Sequence, residues 1–373
     1  MEEKNNLWIV SELFPPDESS TAYILGEIAN AMVCKYNVKV ICGPEIYDIH
    51  KKLDSHNPFV LDKSIEVFRV RGVSQDKNTK KGKLLSFLLI SMRLYTLAKK
   101  KVAKDDKVLM VTNPATLIVL MSILKRKCGF EWDVLVHDIF PENTHAAGIR
   151  LPFYGLFKKL FDRAYSRADL LIALGRDMKN VLASKIARYN TKTQIKIIEN
   201  WADTVNIKPQ PMPEGSIILE YAGNIGRVQG LEDVIEHLPD NVQLHMYGTG
   251  AMEGLLKDKH KMNVYFHGPY YRSQQNEVLA ACHIALVTLQ GTMYGLGVPS
   301  KTYNILASGR PILFLGPKDS EIDLLIKENN IGYCDWPKDW NKEELQTMGD
   351  RARALAEREY SKEMILGKFV SVL

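Results

Sequence analysis

Short apolar runs that end in glycine or polar residues alternate with stretches of helical periodicity along most of the chain. In the first half, this pattern predicts strands at residues 7–10, 38–43, 64–70, 107–112, 133–139, 170–175 and 195–200. A second series is predicted at residues 216–223, 242–248, 264–268, 284–289 and 310–316. Such alternation predicts α/β architecture, with parallel sheets covered by helices on both faces.

The proline-bearing segment at residues 205–215 has no clear period and separates the two series. A chain of 373 residues is long for one hydrophobic core, since domains average about 150 residues. We therefore expect a first domain at 1–204, a linker at 205–215 and a second domain at 216–360. Parallel sheets bind ligands beyond the carboxyl ends of their strands, so a cleft between the two domains is the expected site.

Composition excludes several classes of protein. A hydrophobic content of 46% with 25% charged residues is typical of globular domains and excludes a disordered chain. The net charge of +5 is too small to indicate nucleic-acid binding, and none is expected. The five cysteines have no paired spacing, which favours reduced, buried thiols.

Two basic and apolar stretches, at residues 77–104 and 149–167, favour peripheral contact with an anionic membrane surface. The alternative is a pair of amphipathic core helices with solvated lysines. Polar residues interrupt the most apolar run before it reaches the roughly 18 to 20 residues that span a bilayer. The N-terminal residues lack the pattern of a signal peptide, so a cytoplasmic location is expected.

The segment at residues 295–311 has the clearest chemical pattern in the sequence. Its glycines allow close approach of the backbone to a ligand, and Pro299 with Ser300 predicts a helix start. Backbone amides at a helix start favour a phosphate, and Lys301 adds a positive charge. An ordinary capped helix with a solvated lysine is the alternative.

Two further segments hold candidate residues. The stretch at residues 221–230 runs from a strand into a glycine-bearing loop, where Arg227 and Gln229 are suited to phosphate contacts; a plain turn is the alternative. His137, Asp138 and Glu142 lie at or just past the end of the strand predicted at 133–139 and are the best titratable candidates for orienting or deprotonating a hydroxyl. The alternatives are a core histidine and an acid at a helix N-terminus.

The ordered segments SELFPP, VHDIFPE, ALGRDM, EYAGNIGRVQG, HGPYYR and GLGVPSKTYNILASGRP cover nearly the whole chain. Together they resemble the bacterial family-four glycosyltransferases with the GT-B fold, in particular the subgroup of colanic-acid fucosyltransferases and L-fucosamine transferases. The resemblance implies two Rossmann-like, doubly wound domains facing a central cleft, with residues 361–373 returning to the first domain as a helix.

The resemblance also implies roles for individual residues. The donor phosphates would contact Arg227, Gly297, Val298, Pro299, Ser300, Lys301, Ser19 and Ser20. The ribose and base would contact Asn304, Gly268, Pro269, Tyr270 and Gly248. The loop near the donor would include Gly223, Asn224 and Gln229.

Leu296 and Asn304 occupy the positions of the two acids that the family usually carries. Asn304 retains a carbonyl that accepts hydrogen bonds from ribose, whereas Leu296 offers no polar contact. A plain helix cap explains Ser19 or Ser20 equally well.

The expected activity is metal-independent, retaining transfer of a sugar from a UDP- or GDP-sugar to a lipid-linked saccharide. No Asp-x-Asp triplet is present, and neither a metal nor another cofactor is expected. Two alternatives remain at this stage: a sugar-nucleotide epimerase of the same fold, and a non-catalytic nucleotide- or carbohydrate-binding protein.

Overall fold

A parallel sheet of seven strands organises the first half of the chain. The computed structural model describes residues 4–45, 59–72 and 80–373. The strands are β1 (Asn6–Ser11), β2 (Asn37–Cys42), β3 (Glu66–Arg69), β4 (Lys107–Val111), β5 (Glu131–Leu135), β6 (Leu170–Ala173) and β7 (Gln194–Ile197). Their order in the sheet is β3-β2-β1-β4-β5-β6-β7.

Six helices accompany this sheet in the described residues: α1 (Ser20–Met32), α2 (Lys80–Lys101), α3 (Ala115–Cys128), α4 (Glu142–Ala146), α5 (Tyr154–Tyr165) and α6 (Arg176–Ile186). Their starts and ends follow local sequence. Ser19 caps α1, because its hydroxyl accepts a hydrogen bond from the Ala22 amide at 3.3 Å. Gly129 ends α3 in the left-handed conformation, with φ of 79°.

The second half forms a parallel sheet of six strands. They are β8 (Ile217–Ala222), β9 (Val242–Tyr247), β10 (Val264–Gly268), β11 (Ile284–Thr288), β12 (Ile312–Leu315) and β13 (Gly332–Tyr333). Their order is β10-β9-β8-β11-β12-β13. The helices are α7 (Leu231–His237), α8 (Glu253–Lys257), α9 (Gln275–Ala280), α10 (Lys301–Ala307), α11 (Glu321–Asn329), α12 (Lys342–Glu359) and α13 (Lys362–Val372).

These two parallel sheets confirm the predicted fold class, although most strands are shorter than predicted and β13 was not among the predicted strands. The end of β5 differs most. The strand predicted at 133–139 ends at Leu135 as β5. Beyond it, the amides of His137 and Asp138 both donate to the Thr112 hydroxyl, at 3.1 and 3.2 Å. Asp138 then pairs with Gly297 of the other half in an isolated antiparallel bridge. These residues therefore leave the sheet to contact the opposite domain.

The segment between the two sheets is fastened to the second half by arginine side chains. The buried Arg310 guanidinium donates to the carbonyls of Gln210 and Pro211, both at 3.0 Å. Arg353 of α12 donates to the carbonyl of Ile207 at 2.8 Å. Each guanidinium satisfies backbone oxygens that would otherwise lack partners in an irregular segment.

The last helix, α13, packs against α1 of the first half. Its Lys368 forms an ion pair with Glu199 at 2.7 Å. The hydroxyl of Tyr36 donates to the carbonyl of Leu373 at 2.5 Å. The chain therefore crosses between the two halves twice.

A cluster of charged side chains joins the halves on another side. Arg176 at the start of α6 forms ion pairs with Glu321 at 3.0 Å and Glu328 at 2.7 Å, both on α11. Close by, Gly295 has φ of 66°, and a Cβ there would lie 2.6 Å from Val181 of α6. This contact therefore requires glycine on both conformational and steric grounds.

Candidate functional site

A cavity of about 470 Å³ lies between the two halves, at the carboxyl ends of strands from both sheets. Residues from the first half and the segment after β7 that line it are Ser20, Thr21, Tyr23, Ile24, His137, Asp138, Leu174, Asn200, Trp201 and Asp203. The second half contributes Tyr221, Ala222, Gly223, Asn224, Val228, Gln229, Tyr270, Arg272, Gln275, Thr288, Leu289, Met293, Gly297, Val298, Pro299, Ser300, Lys301 and Asn304. Most of the residues proposed from sequence therefore meet at one place.

Lys301 is the first residue of α10 and extends into this cavity. Its ammonium is buried and has no hydrogen-bond partner among the residues that the structure describes. The Nζ lies 3.4 Å from the centre of the Tyr221 ring, a cation–π contact. Burial lowers the pKa of Lys301 to about 7, while the charge of Glu220 acts in the opposite direction.

Ser300 differs from the expectation of a capping side chain. It occupies the N-cap position of α10 in a helical conformation, and its side chain makes no capping hydrogen bond. Because α10 has only seven residues, the positive character of this site resides mainly in Lys301 rather than in the helix dipole.

Within the described part of the chain, four side-chain atoms of cavity residues are buried without hydrogen-bond partners: Lys301 Nζ, His137 Nε2, Gln229 Oε1 and Thr288 Oγ1. Buried polar groups in folded proteins nearly always have partners, because leaving one unsatisfied costs about 1–3 kcal/mol. Their concentration in one cavity indicates a site that a polar ligand completes.

His137 and Asp138 occupy the first-half wall, where β5 ends. His137 Nδ1 lies 3.2 Å from the Thr21 hydroxyl, and burial lowers the pKa of the imidazole to about 4. The ring is therefore neutral near pH 7. Burial raises the pKa of Asp138 to about 6, and a hydrogen bond from the Asn143 side chain offsets part of this increase. A Cβ on Gly297 would lie 3.1 Å from Asp138 Oδ1, so glycine leaves room for this carboxylate.

Glu142 does not belong to the cavity wall, which counts against its predicted catalytic role. It begins α4, as the alternative interpretation expected. Its carboxylate pairs with Lys185 Nζ at 2.6 Å and with Lys158 Nζ at 2.9 Å. Lys185 also bonds Asp162 at 2.6 Å. Glu142 therefore belongs to a largely buried ion-pair network.

The loop after β8 contributes only some of its predicted residues. Gly223, Asn224 and Gln229 line the cavity, whereas Arg227 is exposed and is not part of the wall. Gly248 is also outside the wall. A Cβ added at this position would lie 1.9 Å from the Gly223 carbonyl oxygen. Gly248 therefore acts indirectly, by permitting close packing of this loop.

The predicted base-binding loop reaches the cavity through Tyr270 and not through Gly268 or Pro269. The Gly268 carbonyl instead accepts a hydrogen bond from the Gly248 amide at 2.7 Å. Gly268 therefore supports the wall from behind.

Asn304 lines the cavity, but its amide is already engaged. The carbonyl oxygen accepts a hydrogen bond from the Asp203 amide at 3.0 Å. The Nδ2 group donates to Gln275 Oε1 at 3.1 Å. The expected ribose contact must therefore share the Asn304 carbonyl oxygen or use a neighbouring group.

Ser19 and Ser20 have separate positions. Ser19 caps α1 and lies outside the wall, whereas Ser20 lines the cavity beside Thr21. The capping alternative therefore applies to Ser19.

Tyr23 and Asp203 line the cavity without having been anticipated from the sequence, and Arg272, the last residue of the HGPYYR segment, had been given no role of its own. Arg272 of the second half lies 3.9 Å from the centre of the Tyr23 ring in the first half. Asp203 closely follows β7, so the rule that ligands meet strand ends would have indicated it. The contact between Tyr23 and Arg272 depends on domain placement, which a local pattern does not reveal.

Among residues 4–45, 59–72 and 80–373, no group of three or more His, Cys, Asp or Glu side chains is arranged to hold a metal ion. The metal-free mechanism stays a prediction.

Comparison with known proteins identifies the family. A protein of Pseudomonas aeruginosa described as the probable glycosyltransferase WbjE is 30% identical over an alignment covering 98% of this chain and 96% of the relative. The chain belongs to the glycosyltransferases with the GT-B fold. No protein-family model matches it.

Solved structures of other proteins share this fold. Anabaena HepE in complex with UDP-glucose has a TM-score of 0.67 and 14% identity, covering 98% of both chains. WaaG, a glycosyltransferase involved in lipopolysaccharide biosynthesis, has a TM-score of 0.64 and 15% identity, covering 98% of this chain and 99% of WaaG.

The first domain of this glycosyltransferase exposes apolar side chains around α5. Phe153 is 80% exposed and Leu156 is 60% exposed, while Ile149, Phe157 and Leu160 are also exposed. On α2, Leu85, Leu88 and Met92 are exposed. Of the predicted membrane-facing stretch 77–104, residues 77–79 lie outside the described residues. No helix in the described part of the chain is long and apolar enough to cross a membrane.

Proposed function

We propose that this glycosyltransferase transfers a sugar, with retention of anomeric configuration and without a metal ion, from a UDP- or GDP-sugar to a lipid-linked saccharide. The proposed acceptor is a polyprenyl-pyrophosphate-linked sugar in surface-polysaccharide biosynthesis. The proposed location is the cytoplasmic face of the membrane. The fucosyl- and fucosaminyltransferase subgroup remains the proposed affiliation.

The observation that carries this proposal is the buried, unpartnered ammonium of Lys301 in the cavity between the domains. A lysine in such a position is expected to have an anionic partner during function, because burying a charge without a partner is unfavourable. The diphosphate of a nucleotide-sugar donor supplies that partner. The ribose and base of the donor would then extend towards Tyr270 and Asn304. HepE binds UDP-glucose on the same fold, which supports this class of donor.

His137 and Asp138 suit positioning of the reacting groups. The neutral His137 ring offers Nε2, which has no hydrogen-bond partner in residues 4–45, 59–72 and 80–373, to a hydroxyl of the donor or acceptor. Asp138 borders Gly297 on the opposite side of the domain junction. We assign these two residues to orientation of sugar and acceptor, with the donor phosphate accepting the acceptor's proton.

The acceptor proposal is based on exposed apolar residues of α5 and of the segment before it, including Ile149, Phe153 and Leu156. The basic residues Lys159 and Arg163 are nearby in sequence. An amphipathic helix of this composition binds at a lipid headgroup boundary. The involvement of WaaG in lipopolysaccharide biosynthesis supports a role in building surface saccharides.

The donor is tested first by thermal denaturation with UDP, GDP and UDP-glucose in EDTA. A ligand at 100 times its Kd adds about 2.7 kcal/mol of stability, so the correct base raises the melting temperature. The transfer reaction is then followed by mass spectrometry with candidate donors and a polyprenyl-pyrophosphoryl sugar. Turnover that requires an added divalent metal contradicts the metal-free mechanism.

Incubating donor without acceptor separates transfer from epimerisation. Conversion of the donor to a sugar epimer in that reaction, followed by NMR, would favour the epimerase alternative. Tight nucleotide binding without turnover on any tested pair would instead favour a binding protein.

Membrane contact is tested by flotation with vesicles of phosphatidylglycerol or of phosphatidylcholine alone. Phe153→Glu should reduce binding to the anionic vesicles, because it places a carboxylate at the proposed apolar contact. Met262→Glu is the matched control, since Met262 is 92% exposed on the second domain. Equal loss of binding in both variants would contradict the α5 assignment.

A further inference from the structure

A second cation of the cavity wall, Arg272, forms no side-chain hydrogen bond or ion pair with any residue that the structure describes. It lies two residues after Tyr270, beyond the end of β10. Its guanidinium carbon is 3.9 Å from the centre of the Tyr23 ring, so the side chain crosses from the second half to α1 of the first. By contrast, Arg310 and Arg176 have oxygen acceptors.

We propose that Arg272 is a donor-binding residue whose guanidinium contacts the diphosphate of the nucleotide sugar together with Lys301, and that Tyr23 is the positioning residue that holds it. The inference rests on the proposed function, because it takes a nucleotide-sugar diphosphate as the occupant of the cavity. It adds a second cation to the site and gives the first domain a part in donor binding.

The charges of the cavity wall support a second cation at the diphosphate. Each of the two phosphates of a nucleotide sugar carries a negative charge, and Lys301 supplies one positive charge. The loop after β8 contributes the neutral Asn224 and Gln229 to the wall, whereas Arg227 is exposed and lies outside it. In the described part of the chain, Arg272 is the remaining lining side chain with a permanent positive charge.

The contact with Tyr23 leaves the guanidinium able to bind an anion. A guanidinium that stacks on a ring covers it with its face, whereas its N–H groups lie in its plane and stay available. The Tyr23 ring itself lies edge-on to the Phe59 ring at 5.8 Å and 6.2 Å from the Trp201 ring. These neighbours restrict the Tyr23 ring and so fix the place of Arg272 at the cavity wall.

Two other roles for Arg272 are possible on chemical grounds. An ion pair with Asp203 is not formed within the described residues, and the Asp203 carboxylate instead accepts hydrogen bonds from Asn206 at 2.9 to 3.1 Å. A contact that only joins the domains is the second role. It needs no anion and would affect every ligand of the cavity alike, so the test compares ligands with and without phosphate.

The experiment measures the Kd of UDP and GDP by isothermal titration calorimetry in EDTA at several NaCl concentrations. Arg272→Gln should weaken binding of the preferred nucleotide by about tenfold or more, because a hydrogen bond between charged groups is lost. The dependence of log Kd on log salt concentration should become shallower, since one pair of opposite charges is removed. Binding of the matching nucleoside, measured by ligand-observed NMR, should change by less than about threefold.

A contact that only joins the domains predicts a different result. It would weaken nucleoside and nucleotide equally and leave the salt dependence as in wild type, and either result would overturn the inference. Arg272→Lys keeps the charge without the planar group and should recover part of the lost affinity.

The role of Tyr23 is tested by a double-mutant cycle. Tyr23→Leu should weaken nucleotide binding by about two- to fivefold, which corresponds to a cation–π contact at a partly exposed site. In the Arg272→Gln background the same substitution should have no further effect, because Tyr23 acts through Arg272. Additive losses would overturn the positioning role.

Arg351→Gln is the matched control, since Arg351 is exposed on α12 of the same domain and lies outside the cavity wall. It should keep the affinity and the salt dependence of wild type. If Arg272→Gln does not fold, the wild-type protein decides through modification by phenylglyoxal, mapped by mass spectrometry. Bound nucleotide should protect Arg272 and not Arg351, and modification of Arg272 at an unchanged rate would overturn the inference.

The two levels of the proposal fail in different ways. Absence of binding of both UDP and GDP to folded wild-type protein would refute the proposed function and, with it, this inference. Nucleotide binding that Arg272→Gln leaves within about threefold of wild type would refute the inference alone.

Discussion

Replacing Lys301 by methionine should weaken donor binding while making the empty protein more stable. Methionine keeps much of the length of the side chain and removes the buried ammonium. A hydrogen bond to a charged group contributes about 1.5–3 kcal/mol, so the Kd for the nucleotide should rise about 10- to 100-fold.

The stability effect follows from the same burial. The pKa of Lys301 falls from 10.5 to about 7 on folding. At about 1.36 kcal/mol per pKa unit, burial of the charged ammonium lowers the free energy of unfolding by at most about 5 kcal/mol below pH 7. The cost decreases as the pH rises from 7 and vanishes above 10.5. Loss of the Tyr221 cation–π contact offsets part of the gain, so Lys301→Met should stabilise the empty protein by about 1–3 kcal/mol at pH 6.5.

A second buried lysine supplies the matched control. Lys185 is also buried, but it pairs with Glu142 and Asp162, each at 2.6 Å. Lys185→Met removes the most buried partner of those carboxylates, while the more exposed Lys158 and Arg188 stay paired with them, and should destabilise the protein by up to about 3–5 kcal/mol. Donor affinity of the folded fraction should not change, since Lys185 is outside the cavity wall.

The assay combines urea denaturation at pH 6.5 and 9.5 with nucleotide titration. The stabilisation by Lys301→Met should be smaller at pH 9.5 than at pH 6.5. Unchanged nucleotide affinity would refute the donor-phosphate assignment, and destabilisation at both pH values would refute the view that this ammonium is an unpaired buried charge.

Three further outcomes are expected. Gly295→Ala should destabilise the protein by at least about 1 kcal/mol in urea melts, because the residue has φ of 66° and a Cβ would lie 2.6 Å from Val181; wild-type stability would contradict the contact. Glu142→Gln should lower the melting temperature through its lost pair with Lys185 but retain kcat within about threefold, and a loss above a hundredfold would restore its catalytic role. If the ionised Asp138 orients a reactant, kcat/KM should fall as the pH drops through about 6 in wild type, and this acid limb should be absent in Asp138→Asn.

The sheets were predictable because each buried strand is a short apolar run with its own turn signal. β13 is the exception, since two residues, Gly332–Tyr333, are too few to show a period. The end of β5 was also not predicted, because the residues after it leave the sheet to contact Thr112 and Gly297. Local periodicity carries no information about such partners.

The candidate site was predictable to the extent that its residues lie in local motifs. Lys301, Gly223 and His137 each follow a glycine-rich segment or a strand end, and all three line the cavity. The partners of Glu142 and Asn304 were not predictable, because Lys185 and Asp203 come from distant parts of the chain. Tertiary contacts, rather than residue type, decide which acids and amides are free to contact a ligand.

Asn304 shows how the site accommodates an amide at a position where the family resemblance implies an acid. Its carbonyl accepts the Asp203 amide at 3.0 Å, next to a carboxylate that Asn206 holds with hydrogen bonds of 2.9 to 3.1 Å. A glutamate at position 304 would bring a second negative charge towards Asp203, which would disfavour ionisation of both acids. The neutral amide instead joins α10 to the segment after β7, and so couples the element that carries Lys301 to the first domain.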